Sequence, residues 1–334
     1  MRLGALVPAI PLELVSSLES LGVKTDMDLL FGLSDLEILQ KLPPGTTTLK
    51  ELRKYISLIA ELSSAKGCSA SQLLPQTTYC NLDSHCIRLD AILGGGFRPS
   101  YVYEVSGDRQ SGKSTLVLNV ALRALVDDPE SDVVYIDTTG DFSAERAAQI
   151  LASFNLAEKT IANALERLQI ALAVDLETVQ QVLQVVIHRL STSLTPPRTR
   201  CLVIDTITPL LGPYLSSTST QGHAIMISFM RHLRSIARAY SVAIFVVNNA
   251  TGIPGSQPNP LSVFPDMVKK PALGASFPYL TDATLWLTSL GSGDAYRVEV
   301  LRSKISQTNA WCEIVMEHGA LLPEKVVHER TDEG

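Results

Sequence analysis

Residues Tyr101-Val102-Tyr103-Glu104-Val105-Ser106-Gly107-Asp108-Arg109-Gln110-Ser111-Gly112-Lys113-Ser114-Thr115 run a short strand-like segment into a glycine-rich loop. An apolar helix pattern, Leu116 to Val126, follows directly. Gly107 to Ser114 match G-x-x-x-x-G-K-[ST] without a deviation, in the strand–loop–helix setting that this pattern requires. In such a loop the backbone N–H groups and the helix N-terminus bind phosphate oxygens. The Lys113 ammonium reaches the β and γ groups, and the Ser114 hydroxyl binds Mg²⁺. An accidental glycine-rich turn is the competing reading, and the alignment of strand, motif and helix argues against it. The candidate cofactor-binding set is therefore Gly107, Asp108, Arg109, Gln110, Ser111, Gly112, Lys113, Ser114 and Thr115, for a nucleoside triphosphate with Mg²⁺.

A site of this kind needs a carboxylate at the end of a neighbouring strand to hold the metal. Cys201-Leu202-Val203-Ile204-Asp205 supplies one. Alone, four apolar residues ending in Asp mean only a buried strand. Downstream of an intact phosphate loop, Asp205 becomes the metal-site acid, paired with Ser114.

Short β-branched runs alternate with amphipathic helices from Ile87 onward, the texture of a parallel sheet with crossover helices. Strands are predicted at Tyr101–Val105, Val133–Ile136, Leu168–Leu172, Cys201–Ile204, Val242–Val247, Thr284–Leu287, Arg297–Leu301 and Cys312–Met316. Helices are predicted at Lys113–Val126, Ala144–Phe154, Leu176–Leu190 and Ala224–Tyr240. The last strands lack intervening helices, which predicts an antiparallel edge. Trp286 and Trp311 read as packing residues within strands. Arg231, Arg234 and Arg238 recur at helical spacing and read as a solvated face opposite Ile225, Phe229, His232 and Ile236.

Ahead of this core, residues 1–63 carry helical periods. Leu14, Val15, Leu18 and Leu21 share a face that Gly22 can close, and Asp35 to Leu42 offers a second helix. Leu49, Leu52, Ile56 and Ile59 mark a third, behind the possible cap Thr46 and the turn Pro43-Pro44-Gly45. Residues 64–85 turn polar and small and read as a linker. The core spans 86–324, and a tail spans 325–334. The fold class is α/β, a phosphate-loop core of mostly parallel sheet with antiparallel edge strands, preceded by a small all-helical N-terminal domain.

At 334 residues the chain has the length of two domains at ~100–200 residues each. Its 46% hydrophobic and 19% charged residues exclude a wholly disordered chain. With 28 Lys plus Arg against 34 Asp plus Glu, the net charge of −6 leaves no global basic field for DNA or membrane adsorption. Nucleic-acid contact must then be local or supplied by partners. Five scattered cysteines, Cys68, Cys80, Cys86, Cys201 and Cys312, form no CxxC pair and fit a reducing compartment. Pro8 and Pro11 interrupt the apolar N-terminus, and no apolar run reaches membrane-spanning length, so no membrane partner is expected.

Three further stretches narrow the class. Leu89-Asp90-Ala91-Ile92-Leu93-Gly94-Gly95-Gly96-Phe97 precedes the phosphate-loop strand. Tyr135-Ile136-Asp137-Thr138-Thr139-Gly140-Asp141-Phe142-Ser143-Ala144-Glu145-Arg146 follows one helix after it. Val246-Val247-Asn248-Asn249 ends the strand after Asp205. In this order they make a chain that resembles the RecA-type recombinases, specifically the eukaryotic recombinase and its paralogues, from the N-terminal helices to about Glu324. Within that family it looks most like the D-type DNA-repair paralogue.

The resemblance implies a RecA-like ATPase fold and roles for individual residues. Lys113 and Ser114 would bind triphosphate and Mg²⁺, Asp205 would be the metal-site acid, and Arg146 would lie near the adenine. Asn249 would sense the γ-phosphate, completing a catalytic set of Lys113, Asp205 and Asn249. Two DNA loops map to about Leu210–His223 and Ala250–Lys270, the second expected to be mobile in the free protein. The implied function is nuclear: an ATP-binding mediator in homologous-recombination repair that helps load the recombinase on single-stranded DNA. Its partners would be other paralogues and the recombinase itself, with single-stranded DNA bound weakly and through the complex.

Departures from the family pattern refine this expectation. Thr139 stands where active recombinases carry the water-activating glutamate, so any DNA-stimulated ATP hydrolysis should be weak. The first loop holds no Lys or Arg, and the second holds Lys269 and Lys270, which predicts weak, salt-sensitive DNA binding. Leu42-Pro43-Pro44-Gly45-Thr46 replaces a glycine-rich hairpin in the N-terminal domain. The linker lacks the Phe-x-x-Ala hook between protomers; Phe154-Asn155-Leu156-Ala157 matches its letters inside the core. These departures count against the alternative of a self-assembling DNA-dependent ATPase that performs strand exchange, and the N-terminal helices count against a metabolic kinase.

Overall fold

A computed structural model of the chain describes residues 3–7, 10–64, 80–192, 198–215, 220–291 and 294–323. The expected tail at 325–334, most of the linker and the tip of the first loop lie outside the described residues. The chain divides into two compact units, 1–78 and 79–334.

In the first unit, four helices, Leu12–Ser20, Asp26–Phe31, Asp35–Lys41 and Leu49–Ser63, follow a 3₁₀ turn at Leu3–Leu6. The last three each begin with a capping box, Thr25 with Asp28, Ser34 with Glu37 and Thr48 with Glu51. Each box satisfies two backbone donors that the first helical turn leaves without partners, and a cap typically contributes about 1 kcal/mol. The sequence reading placed the last cap at Thr46, and the structure moves it to Thr48. Thr46 instead closes the proline turn, its N–H and hydroxyl both donating to the Pro43 carbonyl at 3.2 and 2.8 Å. Leu14, Val15, Leu18, Ile38, Leu52 and Ile59 bury their side chains in one core.

Packing of the second unit begins at Leu82, whose backbone exchanges two hydrogen bonds with Phe97. A Cβ on Gly96 would stand 2.7 Å from the Leu82 carbonyl, so the third glycine of the triplet admits no side chain there. Phe97 then packs against Tyr103 and Phe245 with centroids 5.1 and 5.0 Å away, anchoring the segment under the sheet.

That sheet contains β1 (Val102–Gly107), β2 (Ser131–Asp137), β3 (Leu168–Leu172), β4 (Arg198–Asp205), β5 (Ala243–Gly252), β6 (Lys269–Pro271), β7 (Ala283–Ser289), β8 (Ala295–Ser303), β9 (Trp311–Glu317) and β10 (Ala320–Leu321). Its order is β10-β9-β8-β7-β1-β5-β4-β2-β3, with β6 paired to the end of β5. The pairs from β7 through β3 are parallel, while β8, β9 and β10 form the antiparallel edge. Helices Lys113–Asp127, Ala144–Ser153 and Glu158–Arg167 cover one face, and Leu176–Thr192 and Thr220–Tyr240 cover the other. This is the expected α/β core. The helix Glu158–Arg167 escaped the sequence reading because its apolar positions are few and its surface is mostly exposed.

Two local expectations are refined. Trp286 is buried, but Trp311 is 47% exposed. Arg231 and Arg238 are solvated, whereas Arg234 reaches buried Asp282 at 3.4 Å and donates to the Leu280 carbonyl at 2.8 Å. At the far edge, β3 leaves Ile170 and Leu172 exposed, with Val174 just beyond them. Phe154 lies at a helix C-terminus under the Arg123 guanidinium, 3.4 Å from its ring centroid, inside the core as read. Among the described residues no helix is long and apolar enough to cross a membrane.

Asp90, at the start of this unit, is half-buried and hydrogen-bonded to the Asp83 carboxyl; burial first, and that partner second, push it up to about 7. A carboxyl that binds its proton more tightly folded than unfolded loses stability as pH rises from about 4 to about 7. Asparagine mimics the protonated form. Asp90→Asn should therefore leave Tm unchanged near pH 4 and raise it near pH 8, as thermal melts at the two pH values would read.

Candidate nucleotide-binding site

Strand register levels the site before any side chain acts. Asp137 lies opposite Asp205, Asp205 opposite Val247, and Gly107 opposite Asn249. The C-terminal ends of β1, β2, β4 and β5 thus open together into a cavity of about 430 Å³. Parallel sheets place ligands at this end, where loops leave the strands.

The phosphate loop wraps the cavity floor. Gly112 is left-handed (φ +83°) and caps the helix Lys113–Asp127; a Cβ there would collide with Met316 and press on Tyr296. Arg109, Gln110, Lys113 and Ser114 line the cavity. Lys113 donates to the Asp108 carbonyl; burial pulls its pKa down, against the opposing pull of Asp205 and Asp108. Asp205 is nearly buried and accepts from the Tyr135 hydroxyl at 2.6 Å and from Ser114. Burial pushes the Asp205 carboxyl up, and the same burial next to Asp205 pushes the Tyr135 phenol well above its usual value.

These residues fit a magnesium–nucleoside triphosphate. The buried Ser111 hydroxyl has no hydrogen-bond partner, the Lys113 ammonium borders the cavity, and Ser114 and Asp205 form an oxygen pair suited to a hard cation that keeps waters and phosphates as its other ligands.

The rest of the sequence-predicted set divides. Arg146 and Asn249 line the same cavity. Arg146 donates to Thr115 in the first turn of the phosphate-loop helix, and Asn249 donates its N–H to the Thr208 hydroxyl at 2.9 Å. Gly107, Gly112 and Thr115 shape the loop rather than the cavity wall. Asp108 faces away, both carboxylate oxygens 2.8 Å from Lys269.

Thr139 lines the cavity, with its hydroxyl turned to Asp137 Oδ1 at 3.2 Å. Asp137, which the sequence reading passed over, gathers the N–H groups of Thr139, Gly140 and Phe142 at 3.0, 2.9 and 2.9 Å. Burial raises its pKa and these donors outweigh that, holding the carboxylate below its usual range. Tyr135 was also missed. Both lie at two-residue spacing along the face of β2 that ends at the loop, which was the available signal.

The sequence profile of the Rad51 family matches residues 76–318. The chain belongs to the Rad51 family. It is 30% identical over 324 residues to the bovine (Bos taurus) protein named DNA repair protein RAD51 homolog 4, covering 95% of this chain and 94% of that one. It is 32% identical over 160 residues to DNA repair and recombination protein RadB of Pyrococcus furiosus, covering 48% and 64%. A crystal structure of the RadB recombinase superposes with a TM-score of 0.58 at 21% identity, over 73% of this chain and 100% of that one. The RecA-like fold and a role in homologous recombination thus follow for this Rad51-family chain.

The family's second loop was expected to be mobile in the free protein. Here its ends pair as β5 and β6, and its interior is tied down. Buried Asn259 bonds the Met267 carbonyl through its backbone N–H at 2.7 Å and the Lys269 carbonyl through its side chain at 2.8 Å. Buried Glu299 of β8 accepts from the Ser262 hydroxyl at 2.6 Å and the Val263 N–H at 2.7 Å. Phe264 meets Trp311 edge-on at 5.4 Å, with the Arg297 guanidinium 4.0 Å from the Phe264 centroid. The reason lies in residues distant in sequence, a buried acid and an exposed tryptophan, which composition of the loop does not disclose. Of the two lysines, Lys269 is engaged by Asp108. Removing an aromatic pair of this kind loses about 0.5–1.5 kcal/mol. Trp311→Ala should speed amide exchange at Val263 and Phe264 roughly 2- to 10-fold without changing Tm, as hydrogen exchange would read.

Proposed function

We propose that this chain is an ATP-holding subunit of a recombinase-paralogue assembly, of the D type, to which its likeness to RAD51 homolog 4 points. It acts in the nucleus and helps the recombinase load on single-stranded DNA. The observation that carries this reading is a full phosphate cradle without a water-activating carboxylate at Thr139, whose hydroxyl is turned to Asp137. When bound, the nucleotide and its Mg²⁺ supply charge that ties the strand ends to the loops. Lys113 holds phosphate, Ser114 and Asp205 hold the cation, Tyr135 orients Asp205, and Arg146 and Asn249 close the cavity wall at the base and γ-phosphate ends.

General-base assistance contributes typically ~10²–10⁴-fold to such reactions, so ATP would persist as a structural ligand. Asp137 is a poor substitute, because three backbone donors and Thr139 stabilise its ionised form. Self-association into active filaments is not needed for this role. A partner strand is supported by the edge of β3, where, among the described residues, no strand pairs with the backbone groups beside Ile170 and Leu172. DNA contact stays weak, since the first loop has no cation and Lys269 is held by Asp108.

Lys113→Ala should lower the affinity for a fluorescent ATP analogue at least tenfold, the loss expected for a charge-assisted bond, and leave Tm nearly unchanged. Unaltered affinity rejects the assignment. Phosphate release should be slow in the natural chain, higher in Thr139→Glu, and unaffected by Asp141→Asn, a control for the exposed carboxylate that also lines the cavity. Turnover as fast as an active recombinase in the unmodified chain would sink the structural-ligand reading. Pull-down of a paralogue should be strengthened equally by ATP and by a non-hydrolysable analogue, and weakened by Leu172→Lys with nucleotide affinity intact.

A further inference from the structure

Every side chain given a role so far in holding nucleotide faces the side of the sheet that carries the phosphate-loop helix. Beneath the same strand ends, on the opposite side, lies a second polar cluster. Its centre is Glu104, in the middle of β1 and wholly buried. One carboxyl oxygen accepts from the Ser106 hydroxyl and the Asn248 amide, both at 2.7 Å. The other accepts from the Thr284 hydroxyl at 2.9 Å. Asn248 also donates to the Ala272 carbonyl at 3.1 Å and accepts from the Thr208 hydroxyl at 2.8 Å. The Thr208 oxygen then accepts the backbone N–H of Asn249 at 2.9 Å. The Asn249 carbonyl is taken by Ala272 N–H at 2.8 Å.

Alternation along β5 gives this chain of bonds its direction. Asn248 points to the Glu104 side and Asn249 to the cavity, so two adjoining residues join the two faces of the sheet. Thr208 belongs to the short helix Ile207–Leu211 that opens the first loop, and Asn249 leads into the second. Ala272 follows β6, where the second loop returns. Both loops and the cavity wall are therefore hung on one buried carboxyl.

No ion pair reaches Glu104 among the described residues, and a buried carboxyl without a cation is unfavourable compared with an apolar side chain of the same volume. Valines and isoleucines occupy the neighbouring positions on this face, so packing alone would be better served by one of them. What the carboxylate adds is direction. Its Oε1 accepts from the Asn248 amide, which sets that amide with its nitrogen inward and its oxygen toward Thr208.

We propose that Glu104 is a positioning residue. Through Asn248 and Thr208 it sets the backbone of Asn249, so that filling the cavity with a nucleoside triphosphate and locking the first residues of both loops against opening become one event. The proposal rests on the reading of the cavity as a nucleotide site. It concerns transmission, and predicts that binding itself survives when transmission fails.

The test is hydrogen exchange on the full chain with and without saturating magnesium and a non-hydrolysable ATP analogue. In the natural chain the analogue should slow exchange at Thr208–Leu211 and Asn249–Gly252 about tenfold or more. Glu104→Met, close in volume, should keep analogue affinity within about threefold and abolish that slowing, leaving Asn248 and Ser106 without their acceptor. Glu104→Gln should restore it, because its amide oxygen can accept from Ser106 and Asn248 while its nitrogen faces the rotatable Thr284 hydroxyl. Thr208→Val removes only the link between Asn248 and Asn249, keeps the side-chain shape, and should reproduce the loss even if Glu104→Met fails to fold.

A purely structural Glu104 would change Tm and leave the nucleotide-dependent difference intact. That result, or a Thr208→Val chain with the full difference, overturns the proposal. A natural chain that binds the analogue but shows no response at either loop overturns it while the nucleotide reading stands. A natural chain that does not bind the analogue overturns both.

Discussion

Parallel strand register is the constraint on which the molecule depends. Because Asp137, Asp205 and Val247 lie opposite one another, and Gly107 lies opposite Asn249, the loops leaving four strands start from nearly one level. A shift of one residue in any of these ladders would send each side chain of that strand to the other face. Asp205 would then leave Ser114 and Tyr135, and Asn249 would exchange places with Asn248. The apolar bulk of the two helical layers holds the register, since slippage would turn residues such as Val203 and Phe245 out of the layer they fill.

The same alternation separates two polar systems by the thickness of one sheet. On the phosphate-loop side the groups are partly exposed and line a cavity, as a ligand requires. On the other side Glu104, Ser106, Asn248 and Thr284 are buried and mutually bonded, and half-buried Thr208 links them to the loops. Buried hydrogen bonds in a region of low dielectric constant hold direction better than exposed ones, and an unmet donor there is destabilising. The exposed system suits exchange of a ligand, and the buried one suits keeping the backbone around that ligand in a defined position.

Much of this could be read from the chain itself because the decisive features are local. The phosphate loop needs eight consecutive residues, and Asp205 needs only the apolar strand before it. The eight anticipated strands were recognisable from short β-branched runs. What escaped depends on contacts across the fold. Glu104 looks like a charge in a short strand until Asn248, 144 positions away, is placed beside it. The ordering of the second loop depends on Glu299 and Trp311, far along the chain and paired only once β8 and β9 have formed. Thr46 and Thr48 each stand before the same helix, and only the reciprocal bond from Glu51 separates cap from turn. Trp311 packs as read, but half-exposed and against Phe264 of the second loop, a partner that strand periodicity does not specify.

The sheet ends unequally. One side runs through antiparallel β8 and β9 to the short β10, while at the other β3 has, among the described residues, no strand paired to its outer backbone groups beside Ile170 and Leu172. Such an edge adds any extended apolar strand, another copy of itself included, and is a recognised route to aggregation. Synthesis of this chain in excess of whatever covers β3 would therefore leave an orphan prone to clump and to be degraded. If a partner strand covers β3 as proposed, the abundance of this chain in a cell should follow the supply of that partner rather than its own rate of translation, and losing the partner would deplete this protein as well.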